Sequence, residues 1–440
     1  MKSLIIITLL SSTMQFFAAC TKNPDNPQKE EEPPTNTTSN YDILSLGEIA
    51  IGLWVTPPMD AQTSEEYGKI KDCGINFVNG FYFHENSNSR IVNVLNFCEE
   101  HGLKYFAGRA ITVEDVKKYA QNPDPALLKK FTDGIKPYAN HPAYAGELLM
   151  DEPGKPLFGA LKAFVSAFKD AYPNKLWHIN LFPSYATGGI QASSYADYIN
   201  SWMQTMTPHY LSYDSYPLLT DGGITKDYYS NLDFIRAKSR FQQIPFWTFI
   251  QTLSIAGTPG VPDKREPSEA DIRWQVWSNL AFGAKGIQYF CYWSPGSGSE
   301  TFGEALIGLD GQKTVRYDYV KKLNTDINSI GKILLECHAD GVIQTAASPY
   351  NLYEPLYDYG EVVSVSGDDN IVGCFKDKDG KNKILITTLT PKKDANVSLS
   401  LKNTVTKVKI WKNNVATEES PVNNKLSFSV KAGDAVFVEF

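Results

Sequence analysis

A short apolar run followed by an amphipathic stretch of helical length recurs eight times between residues 49 and 334. That rhythm leaves few ways to fold. Strands so apolar are buried on both faces, which calls for a parallel sheet with helices packed against it. The expected strands are Ile49–Val55, Ile75–Phe83, Leu103–Ala110, Tyr144–Met150, Leu176–Leu181, His209–Tyr213, Phe246–Phe249 and Gly286–Tyr292. The expected helices are Ser64–Cys73, Ser89–His101, Val113–Tyr119 with Ala126–Tyr138, Leu157–Ala171, Tyr195–Thr205, Tyr228–Arg240, Glu269–Phe282 and Asp318–Leu334. Eight such units in about 290 residues predict an α/β fold, a (β/α)8 TIM barrel. A doubly wound sheet is the alternative, but no Gly-rich phosphate loop follows any strand, so no nucleotide cofactor is expected.

The barrel is expected over residues 41–340, and the flanks differ from it. Past about Asp340, short strands separated by turns such as Gly367-Asp368 and Asp379-Gly380 predict a small all-β sandwich over 341–440. Its expected role is a stabilising cap on the barrel. Residues 1–20 read as a targeting segment: Lys2, then the apolar run Leu4–Leu10, too short to span a bilayer, then small residues up to Cys20. This stretch resembles a bacterial lipoprotein signal in which Cys20 is lipidated; an ordinary cleaved signal is the other reading. Residues 21–40, polar and rich in Pro and Glu, read as a disordered tether. The acidic run Glu30–Glu32 resembles surface-export signals of some Gram-negative lipoproteins. The expected location is the bacterial cell envelope, lipid-anchored on the periplasmic or outer face of the outer membrane.

Net charge is −7 with no basic block, so nucleic acid is not an expected partner. The other five cysteines are scattered with no CxxC, and the six histidines form no ligand cluster, so no metal is expected. The aromatic share, 12%, suits a carbohydrate partner, although a large aromatic core accounts for most of it.

Ala143–Pro153 (AYAGELLMDEP) carries the strongest chemical signal. An apolar strand runs into Asp151-Glu152 and is stopped by Pro153. Charged pairs at such a place are hard to explain by packing, and the C-terminal strand ends of a barrel are where active sites sit. Polar and aromatic groups recur at the other strand ends: His84, Arg109, Asn180, Tyr213, Asp214, Tyr216, Gln251 and Trp293, with Trp247 inside strand seven. Together they describe a polar pocket with aromatic platforms, as a sugar requires.

HYLSYDSYP (His209–Pro217), PFWTFIQ (Pro245–Gln251) and GAKGIQYFCYW (Gly283–Trp293) resemble the strand-six, strand-seven and strand-eight motifs of the family 42 β-galactosidases, within the large clan of retaining glycosidases. Asn180 falls where that family has a sugar-binding Asn. The resemblance spans about Ile49–Leu334 and implies a glycoside hydrolase. It departs at two places. The clan's Asn-Glu at the end of strand four is Asp151-Glu152 here, which leaves Glu152 as general acid/base. The clan's nucleophilic Glu on strand seven aligns with Ile250, beside Gln251.

Three readings are open. In the first, the substrate supplies the nucleophile. The Asp-Glu pair is similar to that of the family 20 and 123 hexosaminidases, which implies that Asp151 orients a 2-acetamido group while Glu152 protonates the leaving oxygen. Tyr213 or Tyr216 then donates to the acetamido oxygen, and Trp247 and Trp293 stack on the ring. In the second, Asp214 or a loop acid such as Glu300 or Glu304 supplies the missing carboxylate; direct attack needs about 5 Å between carboxyls and inversion roughly 6.5–9.5 Å. In the third, the chain is a non-catalytic glycan-binding lipoprotein.

Overall fold

The computed structural model describes residues 41–80, 87–108, 110–296, 298, 300–346 and 350–440. Eight parallel strands form the barrel: Ala50–Leu53, Phe77–Gly80, Lys104–Ala107, Tyr144–Asp151, Leu176–Asn180, Leu211–Tyr213, Phe246–Gln251 and Gly286–Phe290. They are called here the first to eighth strands. The sheet runs fifth, fourth, third, second, first, eighth, seventh, sixth. The seam between its two ends is joined by a bridge between Leu181 and Tyr213, where the Leu181 N–H donates to the Ser212 carbonyl at 2.9 Å. The expected barrel is therefore present, with helices following the strands.

The helices start where the sequence supplies caps. Thr63, Ser87, Thr112, Asp124, Ser194, Ser268 and Thr314 each accept a backbone N–H of the turn they open, and Thr112 and Ser268 form reciprocal capping boxes with Asp115 and Asp271.

The barrel interior is layered. Near its N-terminal end Phe77, Phe106, His178 and Trp247 pack ring against ring, with Phe77–Trp247 centroids 4.9 Å apart. Gly286 lets that layer close, since a Cβ there would lie 2.4 Å from the Trp247 ring. A polar layer follows, from Asn79, Asn180, Ser212 and Gln288, all buried. The acidic groups lie beyond it, at the C-terminal mouth.

The β module has a seven-stranded and a three-stranded sheet. Its central strands are apolar on both faces because each face has its own partner. In Asn370–Asp377, Asn382–Thr388 and Ala435–Glu439, the residues Val372, Cys374, Ile384, Ile386, Val436 and Val438 fill the sandwich. Their alternating neighbours Ile371, Phe375, Leu385 and Phe437 join the barrel core. At Gly373 the sheet meets the helix Glu269–Ala281 so closely that a Cβ would lie 2.0 Å from the Ala281 carbonyl oxygen.

The sheet begins at Cys337–Thr345, before the expected break at residue 340, because that strand pairs with Asn370–Asp377. A further edge strand, Val415–Glu419, is wholly exposed and has no apolar alternation to reveal it. All five cysteines among the described residues are buried.

Candidate active site

The fourth strand ends in a way that brings two adjacent acids to one place. Successive side chains on a strand point to opposite faces. Two backbone features change that here. The register against the fifth strand shifts between Leu148 and Met150, which sets Asp151 opposite Asn180. Glu152 then takes a left-handed backbone, φ 49°, with its N–H donating to the Asn180 carbonyl at 2.9 Å. A bulky non-glycine residue held there costs about 1–3 kcal/mol. The turn puts both carboxyls at the mouth, each partly open to solvent.

Asp214 joins them from the end of the sixth strand. Asn180 spans the two aspartates: its amide donates to Asp214 Oδ1 at 3.1 Å and to Asp151 Oδ1 at 3.3 Å. Glu152 is hydrogen-bonded to Asp214 through their side chains. Three carboxyls therefore share one site. All three lie above the ordinary carboxylate range. For Glu152, burial is the main cause, followed by the charges of Asp214 and Asp151, with a smaller push from Glu300 on the loop after the eighth strand. For Asp151, burial leads and Asp214 adds to it, while the Asn180 donor pulls the other way. For Asp214, burial leads, and the hydrogen bonds from Asn180 and Glu152 oppose it. The result is a division of labour: Glu152 holds the proton and Asp214 accepts its hydrogen bond.

Tyr216, also after the sixth strand, stands beside this cluster. Its ring packs on Phe290 at 5.3 Å, and Phe290 on Phe302 at 6.0 Å. All three are partly exposed and form an aromatic wall. Tyr185, from the loop after the fifth strand, accepts the Tyr216 N–H at 3.4 Å. Burial and the nearby Asp214 keep its phenol protonated, a donor.

Other candidates fall elsewhere. Trp247 is fully buried in the lower ring layer, below the polar layer, and offers no face to a sugar. Tyr213 is fully buried and points away from the barrel axis, as alternation with the inward Ser212 requires. Gln251 is fully buried and spent on backbone: it accepts from Leu218 N–H at 3.3 Å and donates to Leu253 and Arg265 carbonyls at 3.0 and 2.8 Å. The seventh strand keeps regular register with the eighth through Ile250 and Gln251, so no bulge substitutes one for the other. Trp293 is 8% exposed, with the edge of its ring against Gly311. His84, Arg109 and Cys20 lie outside the described residues.

Tyr185, Phe290, Ser212, Gln288 and Asn79 were not singled out from the sequence. A signal existed for the last three: each is a polar residue at an inward position of a strand otherwise built from apolar or small residues. Among the described residues, no group of three or more His, Cys, Asp or Glu is arranged to hold a metal ion.

Comparison with known proteins adds to this geometry. Residues 163–330, less than half of the chain, match the family model described as Glyco_hydro_42, Beta-galactosidase. The match begins beyond Asp151-Glu152 and includes Asp214. No curated protein matches the sequence. A catalytic mutant of a family 42 β-galactosidase from G. stearothermophilus superposes with TM-score 0.62 at 9% identity, over 90% of this chain and 98% of that one. A family 5 glycoside hydrolase from Bacteroides vulgatus gives 0.57 at 10% identity, over 89% and 88%. The β-galactosidase of the psychrophilic Marinomonas ef1 gives 0.48 at 12% identity, over 65% of this chain and 62% of that chain's length. The first two likenesses show the fold, and the family match supports a glycoside hydrolase.

Proposed function

We propose that the protein hydrolyses a β-linked 2-acetamido sugar, with Glu152 as proton donor and the substrate's own amide as nucleophile. The observation that carries this is the grouping of Asp151, Glu152 and Asp214 at one point of the mouth. Asp214 is in hydrogen-bond contact with Glu152, whereas a sugar between attacking and protonating carboxyls needs about 5 Å or more. Ile250, which the resemblance aligns with the clan's nucleophile, is buried. Both facts favour a reaction that needs no protein nucleophile.

In the first step Glu152 gives its proton to the glycosidic oxygen as the C1–O bond breaks, and the acetamido oxygen bonds to C1. Asp151 accepts the amide N–H and offsets the positive charge of the oxazolinium ring. In the second, ionised Glu152 takes a proton from water, whose oxygen attacks C1 and reopens the ring. Tyr216 and Tyr185 supply hydroxyl donors beside the acids, and the Tyr216–Phe290 wall supplies apolar surface for a sugar face.

The test is a set of chromogenic β-glycosides with and without the 2-acetamido group. Wild type is expected to cleave only the acetamido substrates. Asp151→Asn is expected to lower kcat by about 10²–10³-fold. Equal cleavage of the 2-hydroxy sugars, or an unimpaired Asp151→Asn variant, sinks substrate assistance. Tight glycan binding without turnover favours a surface glycan-binding protein.

The proposal extends to location. The apolar run before Cys20 supports a lipid anchor in the cell envelope. Radiolabelled fatty acid is expected to enter the wild-type chain and not Cys20→Ser. Equal labelling of both would remove the anchor from the account.

A further inference from the structure

Inside the barrel runs a line of polar side chains that the reaction above leaves unused. Asn79, Gln288, Ser212 and Asn180 come from four different strands, and none is more than 3% exposed. Asn79 Nδ2 donates to Gln288 Oε1 at 2.8 Å, and Gln288 Nε2 donates to Ser212 Oγ at 2.9 Å. Ser212 Oγ–H donates to Asn180 Oδ1 at 3.0 Å. Asn180 Nδ2 then serves Asp214 and Asp151.

The chain of bonds has a direction. A hydroxyl whose oxygen already accepts an amide hydrogen has its own hydrogen left to give. At Ser212 it goes to the Asn180 carbonyl, which turns the Asn180 NH2 toward the acids. A flipped Asn180 would set its oxygen against two carboxylates and leave the Ser212 hydrogen without an acceptor. The far end of the line gains less: among the described residues Asn79 Oδ1 is buried without a hydrogen-bond partner. A buried polar network that leaves a group unmatched adds little to stability over apolar packing. Its evident product is the orientation of Asn180.

We propose that Ser212, backed by Gln288 and Asn79, is a positioning residue that fixes the Asn180 amide so that its N–H donors face Asp151 and Asp214. The use of those acids in catalysis rests on the function proposed above; the orientation itself does not.

An N–H donor favours the ionised form of a carboxyl, so losing it moves titration of both aspartates to higher pH. The groups surrounding the pair are Glu152, Glu300 and the phenols of Tyr185, Tyr195, Tyr198, Tyr213 and Tyr216. Among the described residues, Lys264 lies behind Tyr185, its Nζ 5.1 Å from the ring centroid.

The experiment follows aspartate carboxyl signals by NMR in protein labelled with carboxyl-¹³C aspartate. Asp151→Asn and Asp214→Asn identify the two signals. In Ser212→Ala both midpoints are expected to rise by about one unit or more, and Ser212→Thr, which keeps the hydroxyl, is expected to restore them. Midpoints unchanged in a folded Ser212→Ala protein overturn the proposal. Should that variant fail to fold, Gln288→Met cuts the line one bond earlier and carries the same comparison with a smaller shift. On a cleaved glycoside, the acid limb of kcat is expected to move upward in Ser212→Ala with KM unchanged. Shifted midpoints in a protein that cleaves no glycoside would leave the positioning intact and remove the hydrolase reading.

Discussion

Glu152→Gln is expected to lower kcat by about 10²–10⁴-fold, the usual contribution of a positioned general acid, with thermal unfolding unchanged. A glutamine keeps the shape of Glu152 and still donates to Asp214, but has no proton to transfer. The wild-type pH profile follows from the same contact. Burial, then the charge of Asp214, then that of Asp151 hold the Glu152 carboxyl far above its ordinary range. It stays protonated through neutral pH, so the alkaline limb of activity is expected to report loss of its proton, while the acid limb reports protonation of Asp151. Asp214→Asn removes the largest of the neighbouring charges that hold the Glu152 carboxyl high. The Glu152 midpoint then drops, and the alkaline limb moves to lower pH, while desolvation keeps it above an exposed glutamate. Steady-state rates across pH for the two variants check this. A fully active Glu152→Gln enzyme, or an alkaline limb that Asp214→Asn leaves in place, would end the role given to this pair.

Arg236→Met is expected to destabilise the protein by about 3–5 kcal/mol, the cost of removing one partner from a buried ion pair. Arg236 is 1% exposed and lies on the helix after the sixth strand. Its Nε donates to fully buried Asp233 at 2.7 Å, its Nη2 to Glu354 at 2.8 Å and its Nη1 to the Asp340 carbonyl at 3.2 Å. Asp233 in turn accepts the Glu354 backbone N–H at 2.8 Å. The guanidinium thus ties a barrel helix to the first strands of the β module. Methionine fills much of its volume and leaves Asp233 buried with less compensation. Adding Asp233→Leu is expected to recover most of the loss, since apolar packing often replaces such a pair at little cost. Urea unfolding of the single and double variants measures both. A single variant as stable as wild type would mean that the junction is held by its apolar contacts alone.

Eight apolar runs and their intervening amphipathic stretches were enough to specify the barrel, because strand burial and helix amphipathicity are written in local periodicity. Asp151-Glu152 was legible for a related reason: adjacent charges closing an apolar strand have no packing explanation. The motifs of strands six to eight were enough to point to the family whose model matches residues 163–330. The double-faced strands of the β module were legible as strands, while exposed Val415–Glu419 carried no pattern to read.

Orientation was not legible. Trp247, Gln251 and Tyr213 have suitable chemistry for a sugar site, and their depth and strand face remove them from it. Asp214 sits two residues beyond Ser212 on the same face, and only closure of the sheet between the fifth and sixth strands brings it to Asn180 and Glu152. The residue types and the strand ends on which they fall were determined by the sequence alone, because they depend on neighbours a few positions apart. Which carboxyls meet, which of them keeps the proton and which aromatic rings face the opening were decided by the tertiary structure. Those depend on a register shift at Leu148, a left-handed turn at Glu152 and desolvation by residues far along the chain.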